Sequence, residues 1–215
     1  MKKQNLIFIT LLLPLHLLIA QSFTGNSLLL YLNVGIEALN TEYTYKIKNT
    51  GIDTLIKDKA ANSNYFLGIE YGPLKWLGIG IKAKINKYFT EKDKITNTQP
   101  DANSFDIAFT LRTHLFRKKH FDLPIGISIG GSSLTYNNND PNDPITVNGK
   151  GTYFDIHIQP MFYFDKLGLN LFLGLPSVNY SDMSFNKDIL NEYVLAQWKG
   201  KGLILGLGLQ YRIIN

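Results

Sequence analysis

The chain has 215 residues, of which 45% are hydrophobic and none is cysteine, and its formal charge is +5. This composition is that of one folded domain and lacks the bias of a disordered chain. The absence of cysteine excludes disulfides, thiolate metal sites, a cysteine nucleophile and lipid attachment through an N-terminal cysteine.

Residues 1–20 have the pattern of a secretory signal peptide, and we expect residues 21–215 to form the mature domain. Lys2 and Lys3 precede an apolar run at residues 6–19, which ends beside a small residue, as in exported precursors. An uncleaved anchor is the alternative, but the run is short for a helix that spans a membrane. Loss of both lysines lowers the formal charge from +5 to +3, so we predict no nucleic-acid partner.

Eight segments of the mature chain repeat one pattern, in which large apolar side chains alternate with glycine and polar residues. In the first segment, Leu32 and Val34 alternate with Asn33 and Gly35. A period of two predicts a β-strand with one apolar face. Pro160 lacks an N–H group, so we expect a bulge or gap in the sixth strand. The predicted strands are residues 27–37, 64–73, 76–86, 104–116, 122–131, 152–164, 167–175 and 202–213.

The connections between the predicted strands alternate between long and short. The short ones are residues 73–75, 117–120 and 165–166. The long, polar ones are residues 38–63, 87–103, 132–151 and 176–201. Barrels of the bacterial outer membrane have this asymmetry, with turns in the periplasm and loops outside. We therefore predict an all-β fold, an eight-stranded antiparallel up-and-down transmembrane β-barrel with both termini in the periplasm.

A soluble barrel with its apolar face turned inward would show the same period. Two observations argue against it. The apolar face carries about forty bulky side chains, more than the interior of eight strands can hold. Strand glycines fall on the polar face, except Gly131 at a strand end, and a narrow interior explains them because small residues leave room for their neighbours.

The pattern resembles the small outer-membrane β-barrel proteins of Gram-negative bacteria, which include OmpX, the OmpA transmembrane domain and the PorT-like barrels. The resemblance covers residues 26–215 and rests on the pattern alone, without a short diagnostic motif. It implies contact with outer-membrane lipid and lipopolysaccharide, and insertion by the barrel-assembly machinery. The final strand has the alternation and the aromatic Tyr211 that this implies, although the chain ends in Asn215.

Polar residues on the inward face predict a charge network in the lumen. Buried charges need partners of opposite sign, and both signs occur in each half of the barrel. A salt-bridged plug is the favoured interpretation, and a path for protons or small solutes is the alternative. The predicted network consists of Glu37, Glu70, Lys82, Lys84, Asp106, Arg112, His114, Asp155, His157 and Arg212.

We predict no catalytic residue, no cofactor and no metal site. Some barrels that resemble this one modify lipid A with Ser and His near the outer rim. Here His114 and His157 point inward and His120 lies in a short turn, so no histidine base reaches an external substrate. The run at residues 137–144 is rich in Asn and Asp; calcium binding is one interpretation, and turn formation is the simpler one.

The fourth long connection has apolar residues at helical spacing after Asp188, which predicts a capped amphipathic helix. One interpretation is a helix on the barrel rim with Trp198 at the membrane interface. The other is a docking surface for another envelope or secretion protein. The residues of this stripe are Ile189, Leu190, Tyr193, Val194 and Trp198.

The sequence favours a non-enzymatic role in the cell envelope, either structural or partner-binding. Transport of a small solute or lipid is the first alternative, and lipid A modification is the second. A general porin is excluded, since eight strands enclose too little space for an open channel. The PorT-like resemblance implies a secretion or gliding partner by analogy only.

Overall fold

The computed structural model describes residues 23–48, 50–94, 96–118 and 120–214. The predicted signal peptide at residues 1–20 lies outside these residues. Among the described residues, no helix is long and apolar enough to cross a membrane. The elements in chain order are β1 (Leu28–Ile47), β2 (Asp53–Leu74), β3 (Leu77–Tyr88), β4 (Asp101–His114), β5 (Phe121–Asp122), β6 (Pro124–Asn137), β7 (Thr146–Ile158), β8 (Met161–Phe164), β9 (Leu167–Phe185), α1 (Asp188–Tyr193) and β10 (Val194–Ile214).

Eight long strands form a closed ring in the order β1-β2-β3-β4-β6-β7-β9-β10, and β10 pairs with β1 to complete it. Neighbouring strands are antiparallel. The short strands β5 and β8 pair with each other, and β8 pairs with β9. The predicted eight-stranded antiparallel up-and-down barrel is therefore confirmed. We call the end at which the chain enters β1 and leaves β10 the turn end, and the opposite end the loop end.

The direction in which the apolar face points distinguishes a transmembrane barrel from a soluble barrel. Leu207 and Ile36 point outward and are 64% and 61% exposed, whereas the inward Arg112 and Glu70 are 1% and 0% exposed. A soluble barrel would have the reverse arrangement. The outward belt of aliphatic and aromatic side chains is suited to lipid, and the closed ring pairs the backbone groups that lipid cannot satisfy.

Pro160 interrupts the sixth strand as predicted. Strand β7 ends at Ile158 and β8 begins at Met161, because proline supplies no N–H group to the ladder. The flanking backbone groups keep partners across the gap: the Gln159 N–H donates to the Pro124 carbonyl at 3.0 Å, and the Leu171 N–H donates to the Pro160 carbonyl at 3.1 Å. The gap is local, and the barrel stays closed around it.

Three predicted long connections are wrong, because much of 38–63, 132–151 and 176–201 is strand. Strands β1, β2, β9 and β10 have 20, 22, 19 and 21 residues, whereas β3, β4, β6 and β7 have 12 to 14. The extensions of the four longer strands are mostly polar on the outward face, with Leu55 and Leu195 as exceptions. The regular apolar alternation of the lipid belt is therefore lost while the strand pairing continues.

The extensions of β2, β1 and β10 pair with one another, and the extension of β9 pairs with β10 at Val178–Tyr180 and with β7 beyond it. We call these four extensions the loop-end wall. Its eight-residue segments rise by about 26 Å at the usual spacing of strand residues. Ala38, with Ala61 and Leu203 beside it, marks the last row of the belt below this wall. The loop-end wall comprises residues 40–47, 53–60, 178–185 and 194–201.

A charge placed in the belt tests the outward orientation. Ile81 lies in the middle of β3, beside Ile69 and Phe109, and is 56% exposed. We expect Ile81→Arg to destabilise the barrel by about 2–4 kcal/mol, because lipid does not solvate the charge. Urea unfolding in lipid vesicles measures this loss, with Ile81→Phe as the size-matched control. Equal stability of the two variants would contradict a lipid-facing position.

Candidate functional site

The turn end of the lumen is closed by a buried cluster of charges and rings. The Arg112 guanidinium donates to the Glu70 carboxylate at 2.6 Å, and His114 Nε2 lies 2.8 Å from the other Glu70 oxygen. His114 Nδ1 lies 2.6 Å from Asp122. The Phe23 ring stacks on the His114 ring with centroids 3.5 Å apart. Phe23, which precedes β1, therefore covers this end of the lumen.

A second layer is centred on Asp155 in the middle of the lumen. Lys82 donates to Asp155 at 2.5 Å and to the Ser128 hydroxyl at 3.1 Å. The Tyr153 hydroxyl donates to the same Asp155 oxygen at 2.5 Å, and His157 Nδ1 lies 2.5 Å from the other oxygen. All of these groups are buried, so each carboxylate oxygen exchanges water for charged or polar donors.

Arg112 joins these two layers. Its Nε donates to His157 Nε2 at 3.3 Å. Since this makes Nε2 an acceptor, the ring proton is on Nδ1 and is donated to Asp155, which describes a neutral imidazole. The guanidinium also lies over the Tyr31 ring, 4.2 Å from its centroid. The network is thus continuous from the turn end to the middle of the lumen.

A third layer lies nearer the loop end. Lys84 donates to Glu37 at 2.5 Å and lies 3.7 Å from Asp106. Asp106 also accepts hydrogen bonds from the Asn86 amide at 2.9 Å and from the Ser132 hydroxyl. These side chains are buried as well. Three stacked layers of paired charges therefore fill the cross-section of the barrel.

The structure brings the ten predicted network residues into the lumen, with Arg212 at the turn end over the Tyr163 ring. Sequence reasoning missed Asp122 and Tyr153, which complete the first and second layers. Both could have been found from alternation, because Asp122 shares the inward face with Gly126 and Tyr153 shares it with Asp155.

Two glycines show how closely the lumen is packed. A Cβ at Gly78 would overlap the Glu70 carboxylate, and a Cβ at Gly68 would overlap the Tyr31 ring. A Cβ at Gly131, on the outward face, would instead make only an ordinary van der Waals contact, with the Gly151 carbonyl oxygen at 4.0 Å. Inward glycine thus makes room for the charged and aromatic side chains of neighbouring strands.

Above the third layer the lumen opens into a cavity of about 410 Å³, which we call the vestibule. The lining residues Tyr88, Met183 and Trp198 pack against a buried apolar cluster that includes Leu39 and Tyr180. Trp198 packs against Tyr180 with ring centroids 5.5 Å apart. The volume and the apolar, aromatic lining are those of small-ligand sites. The vestibule is lined chiefly by Tyr43, Ile56, Tyr88, Tyr136, Met183 and Trp198.

Tyr43 and Tyr136 line the vestibule as neutral phenols. Burial raises the pKa of Tyr43, and the nearby Tyr45 raises it further. Burial also raises the pKa of Tyr136, with Asp93 adding to the effect. These residues present rings and hydroxyl groups to the vestibule rather than charges.

The predicted amphipathic stripe does not form one helix. Leu190 lies in α1, a helix of six residues, and Ile189 and Tyr193 lie in it too, but Val194 begins β10 and Trp198 is within that strand. Pairing of Val194 with Ile47 and of Trp198 with Tyr43 ends the helix, because the strand ladder with β1 competes for the same backbone groups. Trp198 therefore faces the vestibule, not the membrane interface.

Asp188 is the first residue of α1, and the position before it, Lys187, makes no side-chain capping bond. The predicted cap at Asp188 is wrong for this reason. Asn191 instead holds the segment, since its amide exchanges hydrogen bonds with the Phe185 backbone at 2.7 Å in both directions. Lys187 pairs with Asp143, which connects α1 to the Asn/Asp-rich connection.

The side chains of the Asn/Asp-rich connection at residues 137–144 form turns. Asn138 Oδ1 accepts the N–H groups of Asp140 at 3.2 Å and Ile145 at 2.9 Å. Asp140 Oδ1 accepts the Asn142 N–H at 2.9 Å. These oxygens serve the backbone as turn formation predicts. Across the part of the chain that the structure describes, no group of three or more His, Cys, Asp or Glu residues is arranged to hold a metal ion.

Several solved structures of outer-membrane proteins have a similar fold. OmpT, an outer membrane protease of Escherichia coli, superposes with a TM-score of 0.52 at 13% identity, covering 89% of this chain and 98% of that one. OprG of Pseudomonas aeruginosa has a TM-score of 0.51 at 9% identity, covering 89% and 99%. AlkL, solved in lipid bilayers, has a TM-score of 0.51 at 11% identity, covering 90% and 92%.

The chain has the fold of a small outer-membrane β-barrel. No protein-family model and no curated protein matches its sequence. The matched outer-membrane proteins include a protease by name, and one fold serves many functions. The role of this barrel therefore has to be argued from its own residues.

Removal of one charge from the middle layer tests how much the pair of Lys82 and Asp155 stabilises the barrel. We expect Lys82→Met to destabilise the barrel by about 3–5 kcal/mol, because Asp155 loses its cation while buried. The double variant Lys82→Met/Asp155→Leu should lose less than the sum of the two single changes. Urea unfolding in vesicles supplies all four stabilities. Simple additivity would show that the two groups do not interact.

Proposed function

We propose that the protein is an integral outer-membrane barrel that binds a partner at the cell surface, without catalysis and without a pore. The supporting observation is the order of features along the barrel axis, a lumen filled by three charge layers below an open vestibule. By analogy with other barrels of this fold, the turn end lies in the periplasm and the loop end outside. The signal peptide that the sequence predicts at residues 1–20 agrees with this location.

The filled lumen argues against a general pore. Glu70, Asp155 and Glu37 each lie in a different layer, and each is buried against a cation. Opening a path would separate these pairs, and a buried charge without its partner is costly. Phe23 adds an apolar cover at the turn end.

The positions of the histidines support a non-enzymatic role. His114 and His157 are buried in the lumen with carboxylate partners, and His120 lies at the turn end beside the Tyr163 carbonyl at 3.3 Å. None of the three lines the vestibule. A nucleophile in the vestibule would lack a histidine base within reach, so neither proteolysis nor lipid A modification is the activity that this site favours.

The loop-end wall supports partner binding. Its inner face carries Tyr43, Ile56 and Trp198 side by side on three neighbouring strands. Aromatic residues of this kind dominate the energetics of protein interfaces, since they bury large surfaces at small entropic cost. The partner that we propose is another protein of the envelope or of a secretion system.

Transport of a small solute is the second candidate, and the vestibule is the observation that favours it. The apolar lining accommodates a small ligand, but the charge layers lie directly below. A transport role would require a route other than the central axis. Binding and conduction can therefore be separated by experiment.

Planar bilayer recordings test the closed lumen. We expect the purified barrel to insert without producing a stable conducting state, because the three layers leave no continuous water path. Insertion is verified independently by protease protection in vesicles. A large pore that stays open would contradict the proposal.

Site-specific photocrosslinking in the native envelope tests partner binding. A photoreactive residue at Ile56 should give a discrete protein adduct, because this position lines the vestibule. The control position is Ile107, which is outward on β4 and 53% exposed. Protein adducts of the same identity and yield at both positions, or none at Ile56, would count against a partner at the loop end.

A further inference from the structure

Four lysines form a patch on the outward face of the loop-end wall. Lys59 and Lys201 lie on either side of Asn40, and Lys57 and Lys199 lie on either side of Glu42 in the next row. All six side chains are exposed. They border a surface depression of about 850 Å³. We call Lys57, Lys59, Lys199 and Lys201 the lysine patch.

The dimensions of the lysine patch follow from sheet geometry. Lysines flanking β1 are separated by two strand spacings, about 9.6 Å, and the two rows are about 6.8 Å apart. Long flexible side chains at these separations can approach one anion from several directions. Glu42 and Asp58 are the acidic residues that line the depression together with the four lysines. The contact of Glu42 with Lys57 is long, 3.6 Å between exposed groups. The patch therefore keeps a net positive charge.

The lysine patch continues directly from the lipid belt. The row below it contains Ala38 between Ala61 and Leu203, and the following row contains Ile36 and Leu205. Alternation keeps these residues on the same outward face as the lysines. An occupant of the whole surface must therefore be amphipathic, with an anionic group level with the lysines and apolar chains along the belt.

Protection of a free sheet edge explains only part of the patch. Lys57 and Lys59 lie on the part of β2 beyond its pairing with β3, which ends at Asn62, and lysine is common on exposed edges. Lys199 and Lys201 lie on β10, which pairs with β1 on one side and with β9 on the other. These two lysines protect no edge, so their position beside the first pair needs another reason.

We propose that the lysine patch binds the phosphate groups of lipid A in the outer leaflet, with the acyl chains against the aliphatic rows below. The match is one of charge and of position: cations lie at the height of the headgroups, and apolar side chains lie at the height of the chains. The site is on the opposite face of the wall from the vestibule. It depends on the loop end being at the outer leaflet and not on a protein partner.

Quantitative lipid retention tests the site. The barrel is reconstituted in phosphatidylcholine vesicles containing bisphosphorylated lipid A, extracted with mild detergent, and analysed by mass spectrometry for lipid A per protein. Loss of two patch cations in Lys199→Gln/Lys201→Gln should lower retention by about tenfold. The charge-matched control Lys87→Gln/Lys150→Gln, at exposed lysines outside the patch, should change it by less than about twofold.

Further arms identify the source of the phosphate. The unaltered barrel should retain phosphate-free lipid A as poorly as the patch variant retains bisphosphorylated lipid A. Millimolar inorganic phosphate should not displace bound lipid A. If the glutamine variant fails to fold, replacement of all four patch lysines by arginine keeps the charge and should keep retention. Equal loss in the control variant, equal retention of phosphate-free lipid A, or full displacement by inorganic phosphate would overturn the proposal.

Discussion

The structure depends on the requirement that backbone hydrogen bonds in a membrane be satisfied within the protein. The ladder between β1 and β10, which runs from Leu28 against Ile214 to Ile47 against Val194, closes the ring and meets this requirement. Closure removes the sheet edges within the lipid belt and fixes one face of each strand outward. That face must then be apolar, since lipid solvates neither charges nor unpaired polar groups.

Closure around only eight strands also determines the interior. Its cross-section is small, so inward side chains meet across the lumen and must fit one another in size and charge. Ion pairs such as Lys82 with Asp155, and glycines such as Gly78 beside Glu70, are the result. A lumen filled in this way is the basis for proposing that the barrel does not conduct, and the vestibule and the lysine patch both lie at the loop end.

The loop-end wall presents two different surfaces because side chains of a strand alternate between its faces. Tyr43 and Trp198 face the vestibule, whereas Lys199 and Lys201 face outward just above the lipid belt. The same four strands thus support two proposals that do not depend on each other, a partner at the inner face and lipid A at the outer one.

The sequence by itself determined the strand period, the outward apolar face and the inward charges, because each of these is a local pattern. It did not determine how far β1 and β10 extend, since their outer segments lose the apolar alternation, nor that Trp198 belongs to a strand. Tertiary structure decided these points, as it decided which charges pair. Lys82 and Asp155 are 73 residues apart in the chain, and only the register of the closed ring brings them into contact.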